Sequence, residues 1–321
     1  MPLRALASQL SPAGPRARLS ILIYHRVLAQ PDALLPAEPD AETFRWQLRV
    51  LTGLFNVLPL SEAVERLAQG TLPARAACIT FDDGYADNAT VALPILKELG
   101  LSATFFIATG YLDGGMMFND RVLETLRRLP AGPIEWPEVG LEHRHIEDDQ
   151  DRKQLAAELI QGLKHLDPAE RTARAQAIAE RSPTPLPADL MMTSAQVKAL
   201  AAAGMTIGGH TQTHPILART PDAQARAEIA GGRETLEALL GEPVRLFAYP
   251  NGKPGQDYDH RHVAMVRDSG FAAAVSTAWG VSTSSSDPYQ LARFTPWDRT
   301  PGRFALRLVR NLMAHQEAPQ V

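Results

Sequence analysis

The stretch Thr80-Phe81-Asp82-Asp83-Gly84 ends an apolar run that begins at Cys78. A short, β-rich apolar run followed by polar residues and glycine is typical of a buried strand that ends in a loop. Two adjacent carboxylates in an extended or turning backbone point in different directions, so one can bind a metal while the other remains free as a base. The alternative is that the aspartates only form a turn before the glycine.

The stretch His210-Thr211-Gln212-Thr213-His214 offers two imidazoles four residues apart. Because Pro215 disfavours a helix at His214, we expect a tight turn after Gly208 and Gly209 that aims both rings at one point. Two histidines and one carboxylate leave coordination positions open for water, as in catalytic zinc sites. Such a site suits hydrolysis of an unreactive bond such as an amide. The alternative is an exposed loop with two unrelated histidines.

Short β-rich runs alternate with helical patterns along most of the chain. The predicted strands are 20–24, 78–81, 103–107, 205–207, 244–248 and 271–275, and the predicted helices are 42–54, 88–99, 120–129, 193–203, 221–240, 257–269 and 302–313. This alternation predicts an α/β fold with parallel strands and covering helices. We expect a single barrel of (β/α) units, with a doubly wound open sheet as the alternative.

Residues from about 131 to 190 differ from the rest because they are charged, rich in alanine and end in a run of prolines. We interpret this segment as a helical insertion in the barrel. The predicted organisation is therefore an N-terminal extension over 1–19 and a single barrel domain over 20–321.

Other polar or aromatic residues also follow predicted strands. His25 follows the first strand, and Tyr249 and Trp279 come after two later ones. Since the loops after barrel strands gather at one rim, where active sites are built, we expect these residues near the carboxylates and imidazoles. His25 is a candidate proton donor to a leaving amine, the alternative being a structural histidine. Tyr249 and Trp279 either line a sugar-binding cleft or pack in the core.

These motifs resemble the polysaccharide deacetylase family, the NodB-homology group of carbohydrate esterases known as carbohydrate esterase family 4. The resemblance extends from about Ile21 to Trp297. It implies a distorted (β/α)7-type barrel and a divalent metal, zinc first, with Co2+, Ni2+ or Fe2+ as alternatives. It also implies Asp82 as the general base and a ligand set of Asp83, His210 and His214.

The chain departs from the family pattern at two places. The family's arginine that orients the base would fall at Ala248, so we suggest Arg293 as the substitute, and its oxyanion-holding backbone N–H would fall at Asn251. The usual late histidine acid is missing. Tyr24-His25-Arg26-Val27 resembles the opening of a subgroup of exopolysaccharide and poly-N-acetylglucosamine deacetylases, in which an early histidine takes the acid role. This agrees with the separate reading of His25.

The predicted function is the metal-dependent removal of N-acetyl groups from acetylated amino sugars of a polysaccharide or its precursor, so the expected partner is an N-acetylated glycan. Two alternatives remain open. One is a hydrolase that cleaves C–N bonds in a small-molecule amide, and the other is a non-catalytic glycan-binding protein on the same fold.

The bulk composition narrows the classes of partner. The net charge of −4 over 321 residues gives no excess of basic residues, so a nucleic-acid-binding protein is not indicated. The lone cysteine, Cys78, is expected to be a buried thiol. No run reaches the ~18 apolar residues of a transmembrane helix, and residues 1–19 lack the apolar block of a secretory signal. We therefore expect a cytoplasmic protein.

Overall fold

The chain folds around a mostly parallel sheet that nearly closes into a barrel, with helices around it. The computed structural model describes residues 2–314 and residue 321. The strands are β1 Leu19–Tyr24, β2 Asn56–Val57, β3 Ala76–Phe81, β4 Thr104–Ile107, β5 Gly132–Trp136, β6 Leu141–Ile146, β7 Thr206–Gly209, β8 Leu246–Ala248, β9 Ala273–Trp279 and β10 Leu291–Arg293.

The helices connect successive strands and flank them. They are α1 Pro2–Leu10, α2 Ala41–Leu54, α3 Leu60–Ala68, α4 Leu93–Glu98, α5 Phe118–Arg128, α6 Asp149–Lys164, α7 Pro168–Ala179, α8 Ser194–Ala202, α9 Asp222–Leu240, α10 His260–Asp268 and α11 Pro301–Asn311. A π-helical turn, Asn88–Ala92, leads into α4. A capping box at Thr193 opens α8, as its sequence predicts, because the Thr193 and Gln196 side chains each accept from the other's backbone N–H.

The barrel wall follows the order β1-β3-β4-β7-β8-β9-β10, and β2 pairs with β3. All of these pairs are parallel. The residue after β10 returns to β1, because Phe294 N–H donates to the Ile21 carbonyl at 2.7 Å and Ile23 N–H donates to the Phe294 carbonyl at 3.1 Å. These bonds connect the two edge strands of the sheet, β1 and β10, and nearly close the barrel. The predicted α/β barrel is confirmed, and the open-sheet alternative is wrong.

Both faces of the barrel wall are covered, which explains the uninterrupted apolar runs in the sequence. Every residue of β1 and β3 is buried. Neighbours alternate between two apolar clusters, with Cys78 packed in one and Ile79 in the other. Cys78 is a free, buried cysteine, as expected. Its burial raises the pKa of the thiol, which disfavours the reactive thiolate.

The segment predicted as a helical insertion contains α6 and α7, together with an antiparallel hairpin of β5 and β6 that the sequence did not indicate. These elements pack on α5 around an apolar cluster of their own, which includes Val122, Ile134, Ile146 and Leu159. The insertion therefore lies beside the loop that follows β4, on the side of the barrel that carries the polar strand ends.

The predicted division into an extension over 1–19 and a barrel domain over 20–321 stays a prediction. Helix α1 lies within the predicted extension and contacts α11. Met1 and residues 315–320, at the outer ends of these two ranges, lie outside the described residues. Among the described residues, no helix combines the length and the apolar character that crossing a bilayer requires.

Candidate metal and catalytic site

Polar residues that follow four different strands line one cavity of about 460 Å³. The cavity-lining residues that the sequence singled out are His25, Asp82, Asp83, His210, His214 and Asn251. They meet because all of their strands run parallel, so the carboxyl ends of the strands share one rim of the barrel. A volume of this size is typical of small-ligand sites.

Asp83, His210 and His214 form a cluster whose candidate ligand atoms all lie within 4.8 Å of one another. The two histidine Nε2 atoms lie 3.3 Å and 3.4 Å from the same atom, Asp83 Oδ1. The turn predicted after Gly208 and Gly209 thus aims both imidazoles at one point.

The chemistry of this donor set fits a divalent cation. His210 Nδ1 lies 2.7 Å from the Ala248 carbonyl, which can only accept, so Nδ1 carries a proton and the neutral form of His210 presents its Nε2 lone pair to the cluster. Asp83 Oδ1 is buried and has no hydrogen-bond donor among the described residues. Lone pairs on two nitrogens and one oxygen therefore converge, and a cation satisfies all three.

The electrostatics of the cluster agree with this fit. Burial lowers the pKa of His214 to about 4, so at neutral pH it is the neutral imidazole that binds metals. Burial also acts to lower the pKa of His210, but the nearby carboxylates of Asp82 and Asp83 outweigh it and raise that pKa. The cluster therefore sits in a field that attracts positive charge.

Unusual backbone geometry is concentrated at this site. Asp83, Thr211, His214 and Asn251 all have positive φ, at 75°, 64°, 54° and 59°. Side chains other than glycine rarely adopt this left-handed conformation, and it persists only where surrounding contacts enforce it. The two adjacent acids differ in their partners, since Asp83 Oδ1 lies within 3.4 Å of both histidine Nε2 atoms whereas both Asp82 oxygens accept from Arg293.

The loop that carries the two histidines is held from behind by Glu228 on α9. This buried carboxylate accepts from the N–H groups of Gln212 and Thr213 at 2.9 Å and 2.8 Å, and from the Thr213 hydroxyl at 2.6 Å. The sequence analysis missed Glu228. The sequence signal that could have pointed to this contact is the adjacent pair Gly231 and Gly232, because glycines inside a helix indicate that another segment packs closely against it. A Cβ at Gly232 would come within 2.9 Å of the Thr211 backbone, so glycine is needed for the loop to lie on α9.

Asp82 is paired with Arg293 deep in the barrel. Two parallel hydrogen bonds of 2.7 Å join the guanidinium to both carboxylate oxygens, and the two side chains are 0% and 4% exposed. Arg293 is itself oriented by the Ser276 carbonyl, which accepts from its Nε at 2.7 Å. Burial alone would raise the pKa of Asp82, but the guanidinium, together with His210 and His25, outweighs burial and holds that pKa below its usual value.

His25 follows β1 and lines the same cavity. Its backbone is fixed by the π-helical turn that leads into α4, because Asn88 Nδ2 donates to the His25 carbonyl at 2.9 Å. The neighbouring Arg26 forms a partly buried ion pair with Asp87 at 2.7 Å, and Asp87 also accepts from the Val27 N–H at 3.2 Å. The Tyr24-His25-Arg26-Val27 segment is thereby anchored next to the aspartates.

Asn251 reaches the cavity, whereas two other predicted substrate contacts do not. No group among the described residues accepts a hydrogen bond from the Asn251 backbone N–H. Tyr249 is fully buried and stacks on Tyr258 with ring centroids 3.8 Å apart, so it packs in the core. Trp279 is the last residue of β9, which extends beyond the predicted strand, and it packs against the same core.

The sequence profile of the polysaccharide deacetylase family matches residues 69–274, which include the aspartate pair and both histidines. The chain belongs to the polysaccharide deacetylase family. Membership implies a carbohydrate deacetylase and a glycan substrate.

Relatives of this family member are distant in sequence. YxkH of Bacillus subtilis (strain 168), which carries a provisional polysaccharide deacetylase name, is 21% identical over 278 residues, or 86% of this chain and 71% of YxkH. Deacetylase PplD of Streptococcus pyogenes, solved with acetate, has a TM-score of 0.61 and 18% identity, with 91% of this chain and 98% of PplD covered. IcaB from Ammonifex degensii has a TM-score of 0.58 and 19% identity, with 95% and 99% covered. At these identities the solved structures establish the shared barrel fold.

Proposed function

We propose that this family member is a metal-dependent hydrolase that removes N-acetyl groups from acetylated amino sugars of a polysaccharide or its precursor. One observation carries the proposal. Asp83, His210 and His214 converge on one point, and a second carboxylate, Asp82, is held beside them by Arg293. A metal-binding cluster next to an oriented, ionised base is the minimum apparatus for hydrolysing an amide.

Asp83, His210 and His214 would hold the divalent metal, for which zinc is the first candidate and Co2+, Ni2+ or Fe2+ are alternatives. When bound there, the metal polarises the acetamide carbonyl and lowers the pKa of a coordinated water. Their three donor atoms leave coordination positions free for water and substrate, as in catalytic rather than structural zinc sites.

Asp82 acts as the general base. Its Oδ2 lies 4.0 Å from His210 Nε2, close to the metal-binding cluster, and both of its oxygens are engaged by Arg293, which supports a role beside the ligand set. Arg293 keeps Asp82 ionised and fixes the plane of its carboxylate, so the base is ready to take the proton of the attacking water.

The tetrahedral intermediate and the leaving amine require two further groups. The backbone N–H of Asn251, which has no acceptor among the described residues, donates to the developing oxyanion. Donors of this kind supply much of the catalysis in acyl transfer. His25, which follows the strand beside that of the aspartates, gives a proton to the departing amine.

The resemblance of the Tyr24-His25-Arg26-Val27 segment to exopolysaccharide deacetylases makes exopolysaccharide the first substrate class to test. A small-molecule amide is the second candidate, because residues of the insertion such as Ala156 and Ile160 line the cavity and bound it on one side. The Asp82–Arg293 pair disfavours a binding protein without catalysis. A buried ion pair contributes little net stability, so its presence is better explained by a catalytic role for Asp82.

The test is acetate release from N-acetylglucosamine oligomers and from a panel of small amides, with metal-loaded protein. We expect release by the unaltered chain and a loss of about 10²–10⁴-fold in kcat for Asp82→Asn. His214→Ala should lose both turnover and metal. An Asp82→Asn protein with full turnover would refute the role of the base, and release from small amides alone would favour the second substrate class.

A further inference from the structure

The cavity extends beyond the metal cluster to a second wall built by α5, α6 and α7. This wall carries positive charge and apolar surface, and its members are Phe118, Lys153, Ala156, Ala157, Ile160, Lys164 and Arg171. All except Phe118 belong to the insertion. None of them takes part in the proposed chemistry, so the wall requires a separate explanation.

Arg171 is the central residue of this wall. It is 7% exposed, and its guanidinium carbon lies 4.8 Å from the centre of the Phe118 ring, which orients the planar group. Within residues 2–314 and 321, no side-chain hydrogen bond or ion pair is made by its guanidinium. The other two arginines near the site differ, since Arg26 is paired with Asp87 and Arg293 with Asp82. A buried guanidinium without an acceptor is costly unless a ligand or water supplies one.

Two lysines on α6 line the same cavity as Arg171. Lys153 and Lys164 are separated by three helical turns and flank Ala157 and Ile160 on the same helix face. In the described part of the chain, neither lysine has a carboxylate within the 4 Å of an ion pair. Three cationic side chains therefore share one wall, and the acid that acts on Arg171, Asp167 at the start of α7, lies beyond the 4 Å of an ion pair.

The acids elsewhere in the cavity do not neutralise this wall. Asp120 accepts from the Tyr85 hydroxyl at 3.1 Å, and burial raises its pKa to about 7. Glu38 accepts from the Arg26 backbone N–H at 3.3 Å, and burial raises its pKa as well. Both acids are hydrogen-bonded to other partners, Asp120 to Tyr85 and Glu38 to the Arg26 backbone.

We propose that Arg171, assisted by Lys153 and Lys164, forms a subsite for an anionic group on the N-acylated sugar, a carboxylate or a phosphate. The proposal rests on the proposed function, because it assumes that the acylated sugar occupies the same cavity. A planar guanidinium binds two oxygens of such a group at once, and the lysines add charge without demanding a fixed geometry. The apolar surface between them provides a face for the sugar ring.

The experiment compares kcat/KM for three small substrates that differ in charge: N-acetylglucosamine, N-acetylmuramic acid and N-acetylglucosamine 1-phosphate. We expect at least one anionic substrate to be preferred over the neutral one. In Arg171→Gln the ratio of anionic to neutral kcat/KM should fall by about 10- to 100-fold, the equivalent of one charge-assisted hydrogen bond. Arg171→Lys, which keeps the charge but loses the fork, should fall in between.

The matched control is Arg174→Gln on the same helix, where the arginine pairs with Glu170 outside the cavity. This variant should keep the substrate ratio. A wild-type protein without anionic preference, or an equal ratio in Arg171→Gln and Arg174→Gln, overturns the subsite. Melting curves of the Arg171 variants distinguish misfolding from lost recognition.

A binding measurement separates failure of the subsite from failure of the proposed function. If no substrate releases acetate, the deacetylase assignment fails, and calorimetric titration with N-acetylmuramic acid and N-acetylglucosamine 1-phosphate decides the subsite alone. Binding that Arg171→Gln weakens and Arg174→Gln retains supports it. Absent binding, or equal binding by both variants, overturns it. The ligand that binds more tightly identifies carboxylate or phosphate.

Discussion

Replacing Arg293 with methionine removes the partner of the proposed base while keeping a side chain of similar length. Asp82 then remains buried without the guanidinium that holds both of its oxygens at 2.7 Å. Breaking a buried pair in this way costs about 3–5 kcal/mol of stability. The Ser276 carbonyl also loses its donor. For a chain of 321 residues we expect the melting temperature to drop by roughly 4–7 °C.

The cost of Arg293→Met should depend on pH, with a defined sign. In the unaltered protein the folded-state pKa of Asp82 is depressed, so the pair contributes stability above the unfolded-state pKa of about 3.9 and loses it as pH falls through the folded value. In the variant, burial without the guanidinium raises this pKa above the unfolded value. At low pH, protonation of Asp82 removes the unpaired buried charge from the variant. The two proteins should therefore differ more in stability at pH 8 than at pH 4.

Catalysis should follow the same logic. A protonated or misplaced Asp82 cannot take a proton from water, so we expect kcat to fall by about 10²-fold at neutral pH and to recover partly as pH rises. Chemical denaturation at several pH values and acetate release over the same range measure both effects. Arg261→Met, which removes an arginine from exposed ion pairs with Asp222 and Asp259, is the control.

A double-mutant cycle makes the test specific. Asp82→Asn removes the buried charge, so adding Arg293→Met to it should cost less than Arg293→Met alone, with a coupling of about 1–3 kcal/mol. Additive effects, or an Arg293→Met protein whose stability loss is the same at every pH, would refute the argument that the guanidinium keeps Asp82 ionised.

Three further predictions follow from the site and the core. Glu228→Ala frees the loop that carries His214, so metal affinity should fall by about 10- to 100-fold in a chelator competition, and unchanged affinity would show that the loop does not depend on this carboxylate. His25→Ala should slow amide hydrolysis by about 10²–10⁴-fold but affect an activated ester such as 4-nitrophenyl acetate much less, because that leaving group needs no proton; equal losses on both would contradict the acid role. Cys78 should resist thiol reagents in the native state and react after unfolding, since burial raises the pKa of its thiol; rapid native labelling would contradict the buried position.

The sequence predicted the parts of the fold and site that local patterns determine. Apolar runs ending in polar residues located most of the barrel strands, and their common direction predicted that Asp83 would meet His210 and His214. β10 was missed because Leu291–Arg293 is too short to show a period, so Arg293 could be suggested as the partner of Asp82 only from the family's missing arginine.

Long-range packing accounts for what the sequence could not decide. Tyr249 and Asn251 both follow β8, but stacking on Tyr258 draws the former into the core while the positive φ of the latter keeps it at the cavity. In the hairpin, the four central residues of β6 are exposed and polar, so the sequence of β6 shows no apolar pattern and the strand depends on pairing with β5. Arg171 acquires its position only when the insertion folds against α5.

The central claim is that Asp83, His210 and His214 bind one divalent ion and that Asp82 does not. Elemental analysis of the metal-reconstituted wild type, Asp82→Asn and His214→Ala proteins tests this most directly. We predict a single ion per chain in wild type and in Asp82→Asn, and loss of the ion in His214→Ala. A wild-type protein that retains no metal after reconstitution, or a His214→Ala protein that retains it as fully as wild type, would contradict the account.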